Sequence, residues 1–327
     1  MGHPGPPPAY EPNEVFRTYG ARTVPRVSRA VTKEARTAVV LMAYGSPERP
    51  EDIPAYFSDI RGGRPVRPEA VAELAERYRR IGGSPLNEIT EAQRAALERE
   101  LGLPVFVGMK HWHPWIADAV EGALAGGAER LVGLVLAPHY SRLSIAGYRE
   151  RLERALAGRA ELVFVESWHD HAPYLDVLAE RVRGTGAHVV FTAHSLPERI
   201  LAEGDPYPDQ LLETSRLVAA RAGIERWSFA FQSESPTGEP WLGPDILVEL
   251  ETLHAQGVRD VLVAPVGFVC DHLEILWDLD VAAREKAAEL GLALDRIQSL
   301  NADPAFVRGL AGLVRKASAE RERIGAR

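Results

Sequence analysis

From Ala38 onward the chain alternates short, unbroken apolar runs with longer stretches that repeat at a helical period. Runs rich in β-branched residues cover 38–42, 105–107, 131–136 and 162–165. Between them, apolar spacing of three and four predicts helices over 68–80, 91–101 and 116–125. A second series repeats the scheme, with strands at 189–192, 227–231, 261–266 and, more weakly, 294–297. Helices over 208–222 and 245–256 separate these, and a last helix covers 304–319. A strand buried on both faces shows no apolar/polar alternation. The pattern therefore predicts parallel strands covered by helices on both sides, an α/β fold.

The two series also match at their strand ends. Ala43-Tyr44-Gly45-Ser46-Pro47 corresponds to Ala193-His194-Ser195-Leu196-Pro197, and Val135-Leu136-Ala137-Pro138-His139 to Leu262-Val263-Ala264-Pro265-Val266. This predicts two similar doubly wound halves with a cleft between them, 37–168 and 169–302. The helix within 303–320 is expected to pack back on the first half. Residues 1–36 have no period and hold six of the prolines; they read as a flexible tail with little part in chemistry.

Composition narrows the function. At 327 residues with 46% hydrophobic and 26% charged positions, the chain has material for a substantial core. A net charge of −8 argues against a general nucleic-acid binder. Cys270 is the sole cysteine, so neither an internal disulfide nor a cysteine-ligated iron–sulfur cluster is expected. No run approaches a membrane span, and a cytoplasmic location is expected.

Familiar phosphate-binding and hydrolase motifs are missing: there is no strand–GxGxxG–helix, Walker loop, GxSxG or HExxH. What stands out is a base at the end of each of two buried strands. His194 closes one at a strand-to-helix turn. Glu274 opens an acidic helix just after another, and Asp271, Glu274 and Asp278 share a face at helical spacing. Like charges on one face favour a cation beside them. Lys110-His111-Trp112-His113 ends a further strand and offers two histidines at i and i+2, a weaker metal candidate. Between Arg61 and Arg80 six arginines face three glutamates, a local positive excess suited to carboxylates.

These residues bring a family into view. From about Ala38 to Val314 the chain resembles the ferrochelatases, which insert ferrous iron into a porphyrin during haem biosynthesis. The resemblance runs through Met42-Ala43-Tyr44-Gly45-Ser46-Pro47, Arg77-Tyr78, Ile81-Gly82-Gly83-Ser84-Pro85-Leu86 and Leu136-Ala137-Pro138-His139-Tyr140-Ser141. It continues through Ala193-His194-Ser195-Leu196-Pro197, Gly204-Asp205-Pro206-Tyr207-Pro208, Trp241-Leu242-Gly243-Pro244 and Gly267-Phe268-Val269-Cys270-Asp271-His272-Leu273-Glu274. It implies two flavodoxin-like halves in a class II chelatase-like fold, and a lyase. It makes His194 and Glu274 the catalytic and metal-site pair, and it puts Tyr44 over the opposite porphyrin face as a possible axial ligand. Arg61, Arg77, Tyr78, Ser84 and Tyr148 would hold the macrocycle and its propionates.

Tyr44, where protoporphyrin enzymes tend to have methionine, and the arginine excess imply the coproporphyrin III type. No cofactor is implied beyond the substrate Fe²⁺. A monomer is expected, in transient contact with a coprohaem decarboxylase, with no nucleic-acid partner and no integral membrane segment. Ala282 stands where the acidic row continues in close relatives, which weakens an outer cation site. The competing readings are a protoporphyrin IX enzyme, a chelatase acting on a sirohydrochlorin-type ring, and a non-catalytic tetrapyrrole carrier. A carrier needs no proton acceptors at the ring centre, and the retained His194 and Glu274 oppose it.

Overall fold

A computed structural model describes residues 35–325, Pro236 excepted. The tail expected over 1–36 lies, but for its last two residues, outside the described residues. The first sheet comprises β1 (Thr37–Ala43), β2 (Val105–Met109), β3 (Arg130–Val135) and β4 (Glu161–Val165), parallel and in the order β2-β1-β3-β4. Its connections carry α1 (Ile53–Ile60), α2 (Pro68–Ile81), α3 (Leu86–Leu101), α4 (Ile116–Ala125) and α5 (Ile145–Leu156). Crossing to the second sheet, α6 (Ala172–Val182) leads into β5 (His188–His194), followed by α7 (Arg199–Ala202) and α8 (Tyr207–Ala222). Then come β6 (Trp227–Gln232), α9 (Ile246–Ala255) and β7 (Asp260–Ala264). A π-helix (Ile275–Ala283) runs into α10 (Arg284–Leu290), ahead of β8 (Ala293–Arg296) and α11 (Pro304–Gly325). This sheet has the order β6-β5-β7-β8, again all parallel.

Strand parity explains the layering. In β1, Val39 and Leu41 face a core shared with Val189 and Phe191 of β5, while Ala38, Val40 and Met42 face α4 and α5. Both sets are buried, so the strand reads as one apolar run. On the far side of the second sheet, Val190 and Val263 pack with α9 and the π-helix. The shared core is closed by Trp168, Tyr174 and Phe306, whose rings stack edge-on or tilted at 5.2 and 6.0 Å from Trp168. Trp168 Nε1 donates to Val135 O at 3.1 Å, and the Tyr174 hydroxyl donates to Val266 O, so the pair ties one sheet to the other. The last helix, α11, lies against α3 and α6 and reaches β3 and β4.

In each sheet neighbouring strands send their connections to opposite sides: β1 and β3 in one, β5 and β7 in the other. Such switch points open crevices at the carboxyl ends of the strands. Tyr44 follows β1, and His194 is the last residue of β5.

Candidate active site

A cavity of about 410 Å³ spans both crevices, within the range of small-molecule sites. Its wall combines Tyr44, Lys110 and His139 from the loops of the first sheet with His194 and Glu274 from the second. Tyr78, Ser84 and Tyr148 complete it from α2, the following turn and α5.

Two glycines make this convergence possible. A Cβ on Gly267 would lie 2.4 Å from Ala193 Cβ and 2.7 Å from its Cα. The loop after β7 can therefore cross the end of β5 only because residue 267 has no side chain. Gly267 N donates to Thr192 O at 3.0 Å in the same crossing. Gly45, at φ +90°, turns the chain after Tyr44, where a Cβ would meet Met109 and Trp112 at 3.0 Å.

That crossing delivers Glu274 to His194. Nδ1–H of His194 donates to Glu274 Oε2 at 3.1 Å, which leaves the Nε2 lone pair without a protein partner among the described residues. The Tyr207 hydroxyl donates to His194 O at 2.9 Å, and Gln232 Nε2 donates to Glu274 O at 3.0 Å. Both backbones are thus fixed. Burial works against charge on His194, yet the Glu274 carboxylate outweighs it and raises the imidazole above its ordinary 6.5. For Glu274 burial opposes ionisation, and His194 and His272 prevail, holding the carboxyl well below the usual range. One turn on, Asp278 is pushed up to about 6 by burial and by Glu274, partly offset by a bond from Ser233.

The predicted row of three carboxylates reduces to two. Asp271 precedes the helix, and Ser299 Oγ and Asn301 Nδ2 bond its carboxylate at 2.6 and 2.9 Å. Arg296 pairs with it at 3.2 Å, so it is committed to structure. Glu274, the N-cap, and Asp278 remain on one face, four residues apart at the start of a π-helix. The histidine pair of the β2 loop also separates. Strand β2 stops at Met109, His111 bonds Asp59 at 2.7 Å, and His113 packs beside Trp112 and Trp115. Burial holds His111 down at about 4, outweighing the Asp59 bond, which acts to raise it.

Across the cavity the Tyr44 ring lies 4.5 Å from that of His111. Desolvation and then Glu274 push its hydroxyl upward, so it stays protonated at neutral pH. Tyr78 shares a 3.0 Å hydrogen bond with Ser46 Oγ. Burial takes the Tyr78 hydroxyl to about 12. Tyr148 is 5% exposed. Arg61 and Arg77 do not reach the wall. Arg61 caps α1 at the rim, and Arg77 pairs with Glu73 at 2.6 Å while lying 5.5 Å over Trp277.

Lys110 and His139 are wall residues that motif reading did not assign to the site, although both stand at strand ends it had marked. His139 is 2% exposed. Thr214 donates its one hydroxyl proton to His169 O at 2.9 Å, so Nε2–H of His139 must donate to Thr214 Oγ1, also at 2.9 Å. Nδ1 is buried and has no hydrogen-bond partner among the described residues. Burial and His169 hold this imidazole down at about 3. Burial likewise pushes the Cys270 thiol up to about 12, an inert group in the wall.

A family model described as Ferrochelatase matches residues 36–318. The chain belongs to the ferrochelatase family. Ferrochelatase of Herpetosiphon aurantiacus is 45% identical over 293 residues, covering 84% of this chain and 96% of its own. Coproporphyrin III ferrochelatase of Bacillus pumilus is 39% identical over 305 residues, covering 87% and 98%. Among solved structures, SirB from Bacillus subtilis with Fe³⁺ aligns at TM-score 0.60 over 88% of this chain and 97% of its own. At 11% identity that is a likeness of fold. Among the described residues of this ferrochelatase-family chain, no helix is long and apolar enough to cross a membrane.

Proposed function

We propose that the protein inserts Fe²⁺ into coproporphyrin III, giving Fe-coproporphyrin III and two protons. One observation carries the reading: the His194–Glu274 pair, at 3.1 Å, faces Tyr44 across a cavity that spans both sheet switch points. Metallation exchanges two pyrrole protons for one divalent ion, so proton acceptors must stand where the ring centre lies. The free Nε2 of His194 is such an acceptor, and the Glu274 carboxylate stabilises the imidazolium that results. The same two groups offer nitrogen and oxygen donors to the incoming ion. Tyr44 addresses the opposite face of the ring as a neutral phenol. Holding the macrocycle bent would expose its nitrogen lone pairs, with binding energy from its periphery supplying the distortion. Iron here is a substrate, and the reading requires no resident cofactor.

The coproporphyrin branch is supported by tyrosine at position 44 and by the 39% identity to a relative that bears that name. The decisive test is an anaerobic absorbance assay with Fe²⁺ and either coproporphyrin III or protoporphyrin IX. We expect a several-fold or greater kcat/KM preference for coproporphyrin III. Equal use of both would move the protein to the protoporphyrin branch, and stoichiometric binding without turnover would make it a carrier.

A further inference from the structure

Segments 138–142 and 204–208 meet beside the cavity, around a carboxylate that is not part of its wall. Each residue from His139 to Arg142 bonds a side chain from α8 or just before it. His139 Nε2–H donates to Thr214 Oγ1 at 2.9 Å, and Tyr140 N donates to Gln210 Oε1 at 2.8 Å. Ser141 Oγ and Arg142 N donate to Asp205 Oδ2 at 3.0 and 2.8 Å. The other oxygen, Oδ1, accepts from Tyr207 N at 3.0 Å. Asp205 and Ser141 are both buried. The carboxylate thus divides its oxygens. One holds the loop that follows β3 of the first sheet, and the other holds the first residue of α8 in the second half. Both held parts lead to the cavity. Leu143, Ser144 and Ile145 line it directly after the anchored loop. Tyr207 lines it too, and its hydroxyl donates to His194 O at 2.9 Å. Burial, then Glu274 and Asp205, push that hydroxyl upward, so it stays a donor at neutral pH.

We propose that Asp205 is a positioning residue that sets His194 and the first-sheet wall of the cavity relative to each other. It acts through Tyr207 on one side and through Ser141 and Arg142 on the other. A carboxylate suits this task better than an amide. Both of its oxygens accept, whereas asparagine offers one oxygen and one amino group. Asparagine can therefore serve one half only. Two donors outweigh one, so it keeps Ser141 and Arg142 and turns its amino group against Tyr207 N. The two links bear on different quantities. The link to Tyr207 sets where His194 stands and bears on the chemical step, in which small misplacements are costly. The link to Ser141 sets the wall against which a macrocycle lies and bears on binding. The proposal rests on the porphyrin reading above and names the residue that holds the two sides of the site in register.

The test is anaerobic Fe²⁺ insertion into coproporphyrin III by wild type, Tyr207→Phe, Asp205→Asn and Ser141→Ala, with binding of the metal-free porphyrin titrated separately by absorbance. Tyr207→Phe keeps the ring in the wall and should lower kcat about ten-fold, the scale of one hydrogen bond, with porphyrin binding nearly unchanged. Asp205→Asn should do the same, and the double variant should lose no more than the larger single loss. Ser141→Ala should instead weaken porphyrin binding about three- to ten-fold at near wild-type kcat. Folded variants that differ from wild type only in melting temperature would make Asp205 merely structural and overturn the proposal. So would kcat losses that multiply in the double variant. If Asp205→Asn does not fold, the split between Tyr207→Phe and Ser141→Ala decides: different defects support the two links, and the same defect in both overturns them. A wild type that binds porphyrin without turnover sinks the metallation reading instead. Asp205 is then judged on binding, where a loss confined to Ser141→Ala supports its role and equal binding by all three variants overturns it.

Discussion

His194 and Glu274 act through a division of labour set by their single hydrogen bond. Glu274 fixes Nδ1 as the donor and presents Nε2 to the cavity. Replacing His194 with alanine should lower kcat for metallation about 10²- to 10⁴-fold, while porphyrin binding persists, which an absorbance titration of the variant would show. Glu274→Gln keeps the shape and removes the charge, so it should let the His194 pKa fall. The acidic limb of the kcat profile should then move to lower pH; an unmoved limb would mean that the pair is not what titrates. His139 makes a separate prediction about stability. It is neutral in the fold down to about 3, whereas an unfolded histidine binds its proton near 6.5. The unfolded state therefore takes up the proton first as pH falls, and stability is lost from about pH 6.5 downward. By pH 5 this costs about 2 kcal/mol. In denaturant unfolding at pH 7.5 and 5, wild type should lose about that much more unfolding free energy between the two pH values than His139→Gln does. His139 could be marked from sequence only as a strand-end residue, because its tautomer depends on Thr214 and its low pKa on burial and His169, all set by contacts far along the chain.

At the scale of elements, the strands were legible and the contacts across them were not. Unbroken runs such as Val39-Val40-Leu41-Met42 are buried on both faces whatever their partners, so composition alone reveals them. The edge strand β8 was the weakest run, since Ala293 and Asp295 face solvent. Helix α5 escaped notice because Gly147 interrupts its start and no side chain caps it, and with it went the contact between Lys110 and Tyr148. The acidic row was misjudged for a different reason. Periodicity assumes 3.6 residues per turn from Asp271 onward, while the helix begins later, is a π-helix, and cedes Asp271 to Ser299 and Asn301. Arg77 pairs with Glu73 one turn back, at the helical spacing that the sequence shows. Gly267 tests the crossing directly. Gly267→Ala should cost about 1–3 kcal/mol through overpacking, lowering the melting temperature, and should cut turnover as well. Full turnover in a folded Gly267→Ala protein would show that the His194–Glu274 distance tolerates a shift of the loop.

For the whole molecule, the halves resemble each other in strand order and in their switch-point loops, yet their inner faces share one core. Heat or denaturant should therefore unfold residues 35–325 in one transition, with tryptophan fluorescence and circular dichroism coinciding. Two separated transitions would show that the shared core is weaker than the outer ones. The Trp168–Tyr174 tie has a consequence for how such a chain could have arisen. Val39, Leu41 and Val132 share their core with Leu97 of α3 and Trp168, and much of the rest of it comes from the second half and α11. A gene for residues 37–168 alone would make a sheet with one face only partly covered, by α3 and Trp168, and sticky in water. A single copy of such a half would gain by covering the remainder of that face with its own twin. The chain would be a dimer that was later written as one sentence, with the ligand site at the former boundary between partners.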